Sequence, residues 1–247
     1  AALSFCGICQ YLGLALPGIV IISEWWASEV VIFLSGRLTP SPDVAIGAMT
    51  IYQSINTFCF MFPVAVGIAG STRVSNLLGA GKSKDAAFAS KISVSFASIM
   101  AACIGCILFF CPHTLFPRFF TPDHSVVSET SHLVPILALY VLADGIQSAF
   151  NGIIKGCGRQ VLAMPVVIVA YWVVGVPLSY YLAFVKNDGD MYRDSFSTGV
   201  VGLVIGMTTG TWVHMILLGL GVVATINWDE EARHAKARLD RRSAVAA

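Results

Sequence analysis

The chain is predicted to be an all-α membrane protein, a bundle of six transmembrane helices, and three observations predict it. Hydrophobic residues make up 56% of the 247 positions, while charged residues are only 12%, about half the usual share. Mean hydropathy is +0.77. Six apolar stretches of about 20 residues or more recur along the chain, each long enough to cross hydrocarbon at about 1.5 Å per residue. A backbone in lipid must bond its own polar groups, which leaves helices or closed barrels. Continuous apolar runs of this length exclude the roughly ten-residue alternation of barrel strands.

The opening Ala1–Tyr11 has neither an initiator Met nor a charged signal-peptide region, and reads as the end of something longer. The first span covers 12–34 and is followed by a turn, 35–44, that carries Gly36, Pro40 and Pro42. The second span, 45–70, leads into a polar connection over 71–87, where Gly79 and Gly81 break the helix before Lys82 and Lys84. The third span is 88–111, and a long connection over 112–132 separates it from the fourth, 133–154. Gly156, Gly158 and Arg159 make a tight turn before the fifth span, 161–185; the sixth is 199–226. From Asn227 onward both charge signs alternate with Ala, the pattern of a solvated or interfacial tail helix over 227–247. Pro17, Pro63, Pro135, Pro165 and Pro177 fall inside or at the ends of spans, where neighbouring helices can satisfy the freed carbonyls. Gly202, Gly206 and Gly210 recur at a four-residue spacing that lets helices approach closely.

The charge distribution orients the bundle. With an even number of spans both ends of the chain lie on one side, together with Arg73, Lys82, Lys84, Lys91, Lys155, Arg159 and the basic tail. The other side holds only Arg37, Arg118, Lys186 and Arg193. The positive-inside rule makes the richer side cytoplasmic. A formal net charge of +1 gives no field that would attract nucleic acid. The seven cysteines form no disulfide framework. Cys6 with Cys9 and Cys103 with Cys106 have a CxxC spacing, but no His or further Cys pair accompanies them, so no metal site is expected. Gly79 to Lys82 lacks the frame and the Ser/Thr of a P-loop. No cofactor and no enzymatic activity are expected, and energy would have to come from an ion gradient.

Acids inside spans carry the chemistry. Glu24 and Asp144 both fall near the centres of their spans, and Glu29 lies about 7 Å nearer the end of the first one by helical rise. A charged group at that depth is costly, which marks it for function. Burial disfavours the ionised form, so such a carboxylate can take a proton from one side and release it to the other. When ionised, it attracts Na⁺ or an organic cation. Glu24 and Glu29 are five residues apart, about 140° around the helix, and cannot point into one narrow pocket. Asp144 and Gln147 share a face, with Tyr140 one turn earlier. Gln53 and Asn56 share a face of the second span beside Tyr52, and such amides serve either substrate or helix packing. Trp25 and Trp26 are too deep for an interfacial belt; they either wall a cavity, where an aromatic face favours a cation, or fill the core. Tyr171, Trp172 and Tyr180 in the fifth span are open to the same two readings, and His214 stands as a lone histidine in the last span.

These residues also resemble a known family. Leu16-Pro17 followed by Ser23-Glu24-Trp25-Trp26-Ala27-Ser28-Glu29 is similar to the start of the seventh helix of eukaryotic multidrug and toxic compound extrusion (MATE) transporters. Gly70-Ser-Thr-Arg73 through Gly79-Ala-Gly81 resembles the turn after the eighth helix. Asp144-Gly-Ile-Gln147 with Gly152, Gly156, Gly158 and Gln160 resembles the tenth helix and its turn. Asn227-Trp228 before a charged tail also fits.

The resemblance implies the C-terminal lobe of a twelve-helix transporter, with residues 1–11 the end of an inter-lobe connection and the N-terminal lobe as missing partner. It implies export of organic cations, drugs or metabolites in exchange for H⁺ or Na⁺, from a plasma or vacuolar membrane. Glu24 and Asp144 then match the C-lobe acids for proton and cation binding, and Glu29 matches a further acid of cation-exporting members. Trp25, Tyr52, Gln53, Asn56, Tyr140, Gln147 and Tyr171 would line the substrate cavity. At Gln53 some animal members carry Glu. Two other readings compete: a non-transporting scaffold or receptor with structural acids, and a flippase of related architecture. A flippase cavity would be expected to hold cationic residues for phosphate, and no Lys or Arg lies near mid-depth here.

Overall fold

A computed structural model describes residues 5–193 and 197–246, with side chains from Ala15 to Arg238. The described residues form helices and one isolated bridge, with no strand among them. Six helices are long and apolar enough to cross a membrane. They are α1 (Phe5–Ser35), α2 (Pro42–Gly79), α3 (Ser83–Phe110), α4 (His124–Cys157), α5 (Gln160–Val185) and α6 (Gly199–Thr225). A seventh, the polar α7 (Trp228–Ala246), follows.

The helices overrun the apolar stretches that betray them. Helical structure begins by Phe5, inside the segment expected to be a connection. The connection expected over 71–87 shrinks to Ala80–Lys82, because helical bonding continues through polar residues once they leave hydrocarbon. The turn residues themselves are where the glycines place them. Gly81 and Gly158 both adopt φ of +73°, a conformation that favours glycine. At Gly81, Lys82 donates its N–H to Leu77 O at 2.9 Å and Gly81 to Leu78 O at 3.0 Å. At Gly158, Arg159 donates to Ile154 O at 2.9 Å and Gly158 to Lys155 O at 3.0 Å. This doubled bond closes both helices in the same way and satisfies their last carbonyls.

The central helix is α4. It starts on Asp123, whose side chain accepts from Ser125 N at 2.8 Å, an N-cap. Its closest neighbours are α2, α3 and α6. Glycine sets those distances: a β-carbon on Gly152 would land on the Gly67 carbonyl, and one on Gly210 would meet Ala170 O and the Gly175 backbone. The stripe of Gly202, Gly206 and Gly210 thus packs α6 against α5, as expected of small residues. Around this spine lie two apolar clusters, one holding Leu133, Leu137, Val141 and Leu203, the other Val74, Leu78, Ile153 and Leu218.

α5 is irregular. Residues Ile168–Gly175 and Tyr181–Val185 are wound as π-helix, on either side of the short α-helical turn Val176–Tyr180 that contains Pro177. Wider winding of this kind recurs at functional sites, and Tyr171 sits in the first such segment. Pro63 and Pro135 lie within α2 and α4, which continue through them.

The two ends of the bundle are tied differently. At one end the loops after α1 and α5 pair, with Thr39 N donating to Gly189 O at 2.9 Å and Met191 N to Thr39 O at 2.8 Å. At the other, α7 folds back on the turns. Asn227 Oδ1 accepts from Asp229 N at 3.2 Å, and Asp229, Glu230 and Glu231 occupy the first turn, where the helix dipole favours acids. Glu231 is buried and pairs with Arg159 at 2.5 Å, while a second Arg159 nitrogen donates to Thr225 O at 2.8 Å. Ser83 donates to Asp229 at 2.5 Å. The first turn of the tail helix is therefore docked, with Glu231 and Ala232 buried.

Candidate functional site

Glu24 projects from α1, Asp144 and Gln147 from α4, Tyr171 from α5, and Thr211 and His214 from α6. The amide of Gln147 joins them. Its Nε2 lies 3.1 Å from Asp144 Oδ1, 3.3 Å from Glu24 Oε2 and 3.4 Å from Tyr171 Oη. An amide nitrogen has two hydrogens to donate, so three oxygen neighbours cannot all be bonded at once. Tyr171 Oη in turn lies 3.4 Å from Gln147 Oε1, 3.3 Å from Thr211 Oγ1 and 3.4 Å from His214 Nδ1. His214 Nδ1 is also 3.4 Å from Glu24 Oε2.

Only the Asp144 contact falls within the ordinary hydrogen-bond range, near its upper end; the others lie beyond it. The network is thus slack and over-supplied with acceptors around Gln147, and His214 Nε2 has no partner among the described residues. A proton or cation placed on either acid would change which bonds form.

Beside the two acids is a pocket with room for about 20 Å³, lined by Glu24, Ser28, Asn56, Tyr140 and Asp144, with Trp25, Gln53, Thr57 and Phe60 closing its sides. That volume fits about one water or a bare ion, and no organic molecule. Asn56 is buried and its Oδ1 has no partner among the described residues. An unpaired buried acceptor is costly, which makes Asn56 an unsatisfied polar group beside this pocket.

A second, wider space adjoins the first. A cleft of about 270 Å³ runs between α1, α2 and α4, and Glu24, Trp25 and Phe60 line it as well. The Trp25 and Phe60 rings meet edge-on at 5.9 Å and 71°.

Against known proteins, the sequence matches the MatE family model over residues 18–181. The chain belongs to the MatE family. Protein DETOXIFICATION 14 of Arabidopsis thaliana is 32% identical over 95% of this chain and 46% of its own length. An uncharacterized transporter of Schizosaccharomyces pombe, C4B3.13, is 32% identical over 92% of this chain and 40% of its own. The crystal structure of the eukaryotic MATE transporter AtDTX14 superimposes with a TM-score of 0.85 at 31% identity, covering 96% of this chain and 51% of that one. The chain therefore spans about half the length of the curated relatives it matches. MATE proteins are a family of transporters and not of enzymes, and the six spans make this chain an integral membrane protein of that fold.

Within this MATE bundle the expected residues divide. Glu24, Asp144, Tyr140, Asn56, Gln53 and Trp25 gather at the small pocket, and Gln147 is buried behind it, in contact with both acids. Tyr171 lies behind Gln147, fully buried, as part of the network rather than as a wall. Tyr52 is buried beside Tyr140, with ring centres 6.4 Å apart. Glu29 is exposed and lines neither space. Trp26 is exposed; Trp172 donates from Nε1 to Ser23 Oγ at 3.1 Å. Cys103 and Cys106 are exposed on α3, and Cys6 and Cys9 lie outside the described side chains. Sequence reasoning missed Thr211, and gave His214 no partners. Their spacing of three residues puts both on one face of α6, which was the available signal.

Proposed function

We propose that the chain is the C-terminal lobe of a secondary antiporter that exports organic cations, drugs or metabolites in exchange for H⁺ or Na⁺. Glu24 and Asp144 are the exchanging acids. One observation carries this reading: carboxylates from two different helices converge on a single amide at the rim of a pocket sized for one ion or water. Two negative charges in such surroundings repel strongly. A proton or a cation between them relieves the repulsion, and the two compete for the same seat. Competition of that kind is what couples an ion gradient to export.

Alternating access needs two lobes rocking around a central site, so an N-terminal lobe completes the transporter. Its organic substrate occupies a space wider than the acid pocket, bounded here by Trp25 and Phe60. The basic loops and the docked α7 gather at one end of the bundle, which faces the cytoplasm by the positive-inside rule, in a plasma or vacuolar membrane. The test is pH-driven efflux from membranes containing the full-length protein, comparing wild type with Glu24→Gln and Asp144→Asn. Both variants should reach the membrane at normal abundance and lose efflux. Unchanged efflux in both would leave the acids structural.

A further inference from the structure

Glu24 stands where two spaces meet. On one side is the small pocket it shares with Asp144; on the other is the cleft between α1, α2 and α4. The far end of that cleft is lined by Lys155, in the last turn of α4. Between them, α4 presents a polar wall. Gln147, Ser148, Asn151 and Lys155 follow at spacings of one, three and four, which keeps them on one side of the helix. Gln147 bonds Glu24, and Lys155 lies eight residues on, so the wall runs about 12 Å along the axis.

Polar side chains and volume mark the cleft as wet. Asn151 and Lys155 line it from α4. Opposite, Ser71 and Thr72 add hydroxyls from α2, and Gly67 and Gly152 leave the floor without side chains. At about 270 Å³ the space holds several waters. Its Lys155 end lies one turn of chain from Arg159, which pairs with the docked α7.

Resting on the antiport reading above, we propose that this cleft is an aqueous path by which the coupling ion leaves Glu24 toward the α7 end, with Lys155 as the charged gate at its mouth. Glu24 is then the hand-over point, open to water through the cleft and to Asp144 through the small pocket, and the Trp25–Phe60 ring pair borders both spaces. A fixed ammonium on the path lowers the local concentration of metal cations while leaving water-borne proton transfer to the acid intact, which favours H⁺ as the exchanged ion.

The experiment requires no transport, so its failure is distinct from failure of the antiport reading. Single cysteines replace Thr72 at the cleft wall, Ser148 and Asn151 along it, and buried Ala149 outside it, in the full-length protein depleted of reactive native thiols. Impermeant thiosulfonate reagents, one anionic and one cationic, are added to each face of membrane vesicles. Thr72→Cys, Ser148→Cys and Asn151→Cys should react from the face bearing α7, and Ala149→Cys should not. The anionic reagent should be the faster, and adding Lys155→Gln should cut its advantage by roughly threefold to tenfold. The path is overturned if Thr72→Cys reacts and the two deeper positions do not. The gate is overturned if Lys155→Gln leaves the reagent preference unchanged.

Discussion

Replacing Gln147 by Leu tests whether its amide holds the two acids together. The change keeps the side-chain bulk and removes both N–H groups, one 3.1 Å from Asp144 and the other shared between Glu24 at 3.3 Å and Tyr171 at 3.4 Å. Interhelical side-chain bonds in membranes contribute about 0.6 kcal/mol on average and up to about 1.7. The 3.1 Å bond to buried Asp144 belongs at the upper end of that range and the slack one near the mean, so the loss is about 2 kcal/mol. With the entropy of unfolding scaled to a two-lobe protein about twice this length, that lowers Tm by about 2–4 °C. The assay is thermal denaturation of the detergent-purified full-length protein, followed by loss of the monodisperse chromatographic peak. Gln147→Glu, which keeps the shape but adds a third carboxyl group, should fall further. A Gln147→Leu protein with wild-type Tm would refute the bridging role, because the acids would then be held by something other than this amide.

Other expectations follow from the same geometry. Gly206→Val would drive its side chain into the Ser179 backbone and should cost about 3 kcal/mol or more, read as loss of folded protein on expression; Gly81→Ala, with open space around it, should cost about 1 kcal/mol. Arg159→Ala leaves buried Glu231 without its cation and should cost about 3–5 kcal/mol, seen as faster hydrogen exchange in α7, whereas Arg159→Met with Glu231→Leu should restore most of the protection. Glu29→Gln, at a carboxylate outside both spaces, should leave efflux within about twofold of wild type, a change under about 0.5 kcal/mol. The isolated chain reconstituted in liposomes should not carry out pH-driven dye uptake.

Much of this molecule was legible from residue order. Hydropathy alone places six helices, and the spacing of Asp144 and Gln147 puts them on one face of α4 before any coordinates are known. The 140° between Glu24 and Glu29 keeps them out of one narrow pocket, but which of the two faces the cavity was not legible, and Glu29 is the exposed one. Three further things were not legible, each for a physical reason. Helix ends run past the apolar signal, because backbone bonding outlasts hydrophobicity where a helix leaves lipid, as at Ser71–Gly79. Tyr171, Thr211 and His214 meet only through packing of α5 on α6, and no local pattern encodes a contact across helices. The π-helical winding of Ile168–Gly175 is equally silent, since its residues are the same apolar types that fill an ordinary span. The tail reads as solvated because its charges are plain in sequence, while the burial of Glu231 depends on Arg159, supplied by a turn seventy residues earlier.

The glycine contact between α2 and α4 has a mechanical corollary. With Gly67 and Gly152 in backbone register and no side chain between them, those two rods slide or separate only by breaking a close-packed seam. Among the described residues α1 packs less extensively, on α2, α5 and α6. Tilting it would carry Glu24 away from a stationary Asp144, so the spacing of the two acids becomes a readout of one helix's lean.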